Sequence, residues 1–101
     1  MVDNLDLLLR ELHKAVENNN CNSLKKCIII SLQSKESEMS YTMFPYEVKY
    51  NTSGFYILDN KQNYFLIREP DNFDLTKDGT NNCLQFSFRN KSTGEYYGIC
   101  F

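Results

Sequence analysis

The sequence predicts an α+β fold: an N-terminal amphipathic helix packed on a mostly antiparallel sheet of five to six strands. Three observations carry this. Leucines recur at helical spacing near the start, later segments alternate apolar and polar residues with period two, and the chain holds seven Tyr and seven Phe, residues that suit pleated, half-buried surfaces. With 101 residues, 42% hydrophobic and 24% charged, residues 1–101 are expected to form a single domain of ordinary composition.

The helix comes first. Leu5, Leu8, Leu9, Leu12 and Val16 form one apolar stripe, leaving Arg10, Glu11, Lys14 and Glu17 to face water. Asp3 is placed to cap the first turn, with Asp6 as the short version of the capping-box acid and Val2 able to staple against Leu7. Asp6 and Arg10 have the spacing of a helical ion pair. Asn18-Asn19-Asn20 is expected to stop the helix, because Asn tolerates the left-handed conformation of a C-cap.

Ser23 to Gln33 admits two readings. Ser23 could cap a second helix with Leu24, Cys27 and Ile28 on one face, but Ile28-Ile29-Ile30 is stiff at χ1 and favours a strand near 26–33. A run apolar on both sides suggests a central strand covered on both faces. Lys35 to Ser40 reads as a polar connection. From Tyr41 to Tyr50, Phe44, Tyr46, Val48 and Tyr50 alternate with polar residues, and Pro45 places that strand at an edge or confines it to the later residues. Asn51 to Gly54 is a turn, and Phe55–Leu58 with Tyr64–Arg68 reads as a hairpin with both faces largely apolar.

Glu69 to Asn82 reads as the longest loop, carrying Glu69, Asp71, Asp74 and Asp78 against a single Lys77, with Phe73 and Leu75 interspersed. A second hairpin closes the chain. Leu84, Phe86 and Phe88 share a face, Asn90 to Gly94 turns, and Tyr97, Ile99 and Phe101 return, so the last strand is expected to be docked.

Charge and motifs narrow the function. Eleven basic and thirteen acidic residues give a net charge of −2. The only adjacent basic pair is Lys25-Lys26, so no nucleic-acid partner and no anionic membrane surface is expected. No apolar run has the length of a membrane span, and Met1-Val2-Asp3-Asn4 lacks the basic start of a signal peptide, so a cytoplasmic location is expected. Cys21, Cys27, Cys83 and Cys100 are then reduced packing residues. Their spacing contains no tight pair, so no metal is expected. The acids at 71, 74 and 78 do not follow the calcium-loop pattern either.

His13 is the one histidine, at the edge of the leucine stripe. A catalytic role would require a nucleophile beside it, and no cysteine lies in a nucleophile motif. Ser92-Thr93-Gly94 sits in a hairpin turn, where it cannot cradle phosphate as a helix start does. Glu36 and Glu38 lack desolvating surroundings. No catalytic residues and no cofactor are therefore assigned.

The expected function is a non-catalytic protein-binding module, most plausibly a small acidic inhibitor or immunity-type protein, an antitoxin in effect. It would occlude the active or nucleic-acid-binding site of a toxin or defence nuclease with a basic surface. Tyr41, Glu69, Asp71, Asp74 and Asp78 are the expected contacts. The alternatives are a small enzyme using His13 with a cysteine or carboxylate, and a homo-oligomeric module pairing through an exposed sheet edge.

Overall fold

In the computed structural model, which describes residues 3–34, 36–80 and 83–101, the leucine stripe folds as predicted into α1 (Asn4–Cys21). Asp3 caps it, its carboxylate accepting from the Asp6 N–H at 2.9 Å. Leu8, Leu12 and Ala15 are fully buried on its inner side. The Asp6–Arg10 pair does not form; the helix carries a Lys14–Glu11 ion pair at 3.3 Å instead. Water competes well for such exposed charges. The Val2 staple lies outside the described residues.

Asn18 to Asn20 do not stop the helix. It runs on to Cys21, and its C-cap, Asn22, is extended rather than left-handed. The three amides turn outward to other segments. Asn18 Nδ2 donates to the Leu24 carbonyl and Asn20 Nδ2 to the Val16 and Tyr46 carbonyls. Asn19, fully buried, donates to the carbonyls of Lys26 and Pro45 at 2.9 and 2.8 Å, while its Oδ1 accepts from the Lys26 N–H at 2.6 Å. One side chain thereby satisfies three buried or half-buried backbone groups. Lys25 Nζ adds a cap on the Asn19 and Asn22 carbonyls, both at 2.6 Å.

Eight strands follow: β1 (Ile28–Gln33), β2 (Glu38–Met43), β3 (Glu47–Asn51), β4 (Gly54–Leu58), β5 (Tyr64–Arg68), β6 (Phe73–Thr80), β7 (Cys83–Asn90) and β8 (Tyr96–Cys100). They form a five-stranded sheet in the order β2-β1-β8-β7-β6 and a three-stranded sheet in the order β3-β4-β5. Every ladder is antiparallel. The α+β class stands, with the strands divided between two sheets.

Four local expectations are corrected. Glu38 to Ser40 belong to β2, paired with β1 through Gln33↔Glu38 and Ser31↔Ser40. The Tyr41–Tyr50 segment is two strands in different sheets, and the buried Pro45 between them, which has no N–H to give a ladder, marks the crossing. The isoleucine run is covered on one side only: Ile28 and Ile30 are fully buried, whereas Ile29 is 46% exposed. The acidic loop is a short 3-10 turn, Pro70–Asn72, followed by β6, whose Phe73 and Leu75 pack on the core while Asp74 and Asp78 face out.

The two sheets meet over one core. Ile28, Ile30, Met43, Phe86, Phe88 and Ile99 from the larger sheet join Phe55, Ile57, Phe65 and Ile67 from the smaller, together with Leu8 and Leu12 of α1. Ring contacts tie the layers: Phe55 to Phe88 at 5.4 Å and Phe65 to Tyr97 edge-on at 5.5 Å. The small sheet and α1 thus cover one face of the large sheet. The closing hairpin pairs Phe86↔Ile99 and Phe88↔Tyr97 as its alternation predicts.

Candidate interaction surface

Both sheets have an outer face, and the two differ in chemistry. On the large sheet, the ladders align Ser40, Ser31, Gly98, Ser87 and Thr76 in one row, and Glu38, Gln33, Tyr96, Arg89 and Asp74 in a neighbouring row. A depression of about 440 Å³ lies over Asp74, Thr76, Gln85, Ser87, Arg89 and Tyr96. Its groups are polar, and the Arg89 guanidinium sits over the Tyr96 ring at 5.8 Å.

On the small sheet, the outward positions of β4 and β5 are Tyr56, Leu58, Tyr64 and Leu66. They pair across the ladder as Tyr56↔Leu66 and Leu58↔Tyr64 and line an open apolar depression of about 280 Å³. Tyr64 is 64% exposed. Local structure fixes this face. Asn51 Oδ1 accepts from the Ser53 and Gly54 N–H groups in the β3–β4 turn. Asp59 Oδ1 accepts from the Lys61 and Asn63 N–H groups in the β4–β5 turn. Gly54 is buried, and a Cβ there would meet the Tyr56 ring at 2.7 Å, so the ring is laid over the glycine. Beside the patch stand Glu47 and Lys49, paired across the ladder with Leu58 and Tyr56, and the exposed Arg68 ends β5. Aromatic and leucine side chains flanked by charge have the anatomy of a protein-contact surface.

The residues expected to make contacts are distributed differently from the expectation. Tyr41 lies on β2 and packs against the core rather than standing free; burial pushes its phenol pKa up. It is at the opposite edge of the large sheet from β6, some four strand spacings or about 19 Å away from Asp74 and Asp78. Asp74 faces solvent and pairs loosely with Lys91 at 3.9 Å. Glu69 directly follows β5 in a left-handed conformation (φ 51), its N–H bonded to the Ser53 carbonyl and its carboxylate accepting from Asn72 Nδ2. Glu69 follows the last residue of β5, Asp71 lines a separate depression with Leu5, Tyr50, Phe73 and Lys91, Asp74 and Asp78 belong to the polar face, and Tyr41 belongs to neither. The patch itself was signalled in the sequence by the two-sided apolar character of the β4–β5 hairpin.

His13 is exposed on α1, beyond the boundary position expected for it, and Cys21 and Cys27 are exposed in the helix end and the linker. The Cys83 side chain lies outside the described residues. Among the described residues no three His, Cys, Asp or Glu side chains gather as a metal site, and no helix is long and apolar enough to cross a membrane. Comparison with models of known families, with curated proteins and with solved structures returns no match.

Proposed function

We propose that this chain is a non-catalytic protein-binding module whose contact surface is the outer face of β4 and β5. In this reading it is a small acidic inhibitor of the immunity or antitoxin type. It acts in the cytoplasm by covering the active or nucleic-acid-binding site of a toxin or defence nuclease. The supporting observation is the apolar set Tyr56, Leu58, Tyr64 and Leu66, left open to solvent at the surface. Tyrosines of this kind supply large, rigid contact area and dominate binding energy at interfaces. The net charge of −2 favours encounter with a basic partner.

Affinity capture from the native source tests this with the wild-type chain and a Tyr64→Thr, Leu66→Thr variant. The expected result is one stoichiometric protein partner whose affinity falls about 100-fold or more in the variant, as for loss of two anchor residues. Neutralising Glu69, Asp71, Asp74 and Asp78 together should slow association and reduce its salt dependence. A partner held equally well by the Thr variant would remove this surface from consideration.

A further inference from the structure

The four sheet edges of this protein are not equally protected. β3 has α1 packed beside it, β6 carries Asp74, Lys77 and Asp78, and β2 begins at Glu38 and is mostly polar. β5, Tyr64-Phe65-Leu66-Ile67-Arg68, is bonded on one side only and has neither proline nor a charge before its last residue. Charges, prolines and covering elements are the usual devices that keep edge strands from pairing. β2 and β5 carry one terminal charge each, and of the two β5 is the more apolar.

Its hydrogen-bond phase is set by its two ends. The Asp59 N–H donates to the Asn63 carbonyl at 3.0 Å and the Glu69 N–H to the Ser53 carbonyl at 3.2 Å. In an antiparallel ladder bonded pairs alternate, so Phe65 and Ile67 spend their backbone groups on β4. Tyr64, Leu66 and Arg68 then turn theirs to the open edge.

We infer that β5 pairs antiparallel with β5 of a second copy of this chain, about a two-fold axis through Leu66, joining two three-stranded sheets into one. This register is the one in which the outward groups match: Leu66 meets Leu66, and Tyr64 meets Arg68, each pair exchanging N–H and C=O. On the outer face it sets Tyr56 and Leu66 of one copy in line with Leu66 and Tyr56 of the other. It also places the Arg68 guanidinium against the partner's Tyr64 ring, a cation–π contact. The Tyr64–Arg68 pairing occurs twice about the axis, the self-complementarity that a two-fold isologous contact requires. The inference concerns the edge of β5, not the apolar face proposed above as a partner surface, which the dimer would leave open and double in extent.

Sedimentation velocity on the purified chain alone tests it, from about 5 µM to about 1 mM, the range suited to a contact below standard interface size. Wild type is expected to pass reversibly from monomer to dimer. Leu66→Pro removes one outward N–H and none of the bonds to β4, and should stay monomeric with an unchanged circular dichroism spectrum. Tyr64→Lys and Arg68→Glu, an independent pair of variants, should each weaken the dimer about two- to fivefold. Mixed in equal amounts, these two should recover it, since the introduced charges, opposite in sign, then face each other while the second Tyr64–Arg68 pair stays native. A wild-type chain monomeric at about 1 mM, or charge variants that dimerise no better mixed than apart, would overturn the inference. A monomeric chain that still captures a partner through Tyr64 and Leu66 would leave the proposed function standing. A dimer with no other partner would leave the pairing standing and remove that function.

Discussion

On the outer face of the five-stranded sheet, successive strands align Ser40, Ser31, Gly98, Ser87 and Thr76 in one row; on the outer face of the β4–β5 hairpin, the equivalent positions hold Tyr56, Leu58, Tyr64 and Leu66. The inner faces obey one rule, with isoleucine and phenylalanine from both sheets entering a common core. An antiparallel sheet covered on one side normally alternates apolar-in and polar-out. The large sheet does so except at Ile29, and β3 does so through Glu47 and Lys49; the β4–β5 hairpin does not. Stability alone asks little of Tyr64 at its exposure, and the difference between the outer faces is what motivates the proposed contact surface.

That contrast can be broken from the inside first. Phe55→Ala, on the buried face of the small sheet, should cost about 3–5 kcal/mol in urea unfolding, because it opens a cavity against Phe88. A cost below about 1 kcal/mol would mean that the small sheet is not packed on the large one as described. The junction between the sheets comes next. Asn19→Ala strips partners from the Lys26 N–H and the Lys26 and Pro45 carbonyls, and should cost about 2–3 kcal/mol. The smallest effect is expected on the open face. The Tyr64→Thr, Leu66→Thr chain should unfold within about 1 kcal/mol of wild type, since threonine suits an exposed strand. If that variant were instead strongly destabilised, the outer apolar set would be structural and the contrast would lose its functional meaning.

Much of this architecture could be read in the residues, and the rest was hidden for identifiable physical reasons. The leucine stripe of α1 and the Leu84/Phe86/Phe88 alternation are periodic over enough positions to dominate their segments. In β6 the same alternation exists at Phe73, Asp74, Leu75 and Thr76, but the acids, Pro70 and Gly79 around it are also what a loop is made of. Pro45 signalled an interruption without saying that the chain changes sheet there, because that depends on contacts distant in sequence. Ile29 lies in an apolar triplet and still faces water, as position in a ladder outweighs side-chain preference. The Asn18–Asn20 run has the composition of a helix stop. Its use as a clasp depends on carbonyls at Lys26, Pro45 and Tyr46 that only the folded chain brings near. Of the candidate surface, the hairpin's two-sided apolar character was legible, whereas nothing local to Tyr41 showed that it packs against the core.

Gly54 has an effect that reaches past its own backbone. It makes no contact with anything outside the molecule, yet the Tyr56 ring rests where its side chain would be. Adding one methyl group at Gly54 would tip that ring outward and reshape the floor shared with Leu58, Tyr64 and Leu66. The shape of this face can therefore drift through a hidden position while every residue on display remains the same.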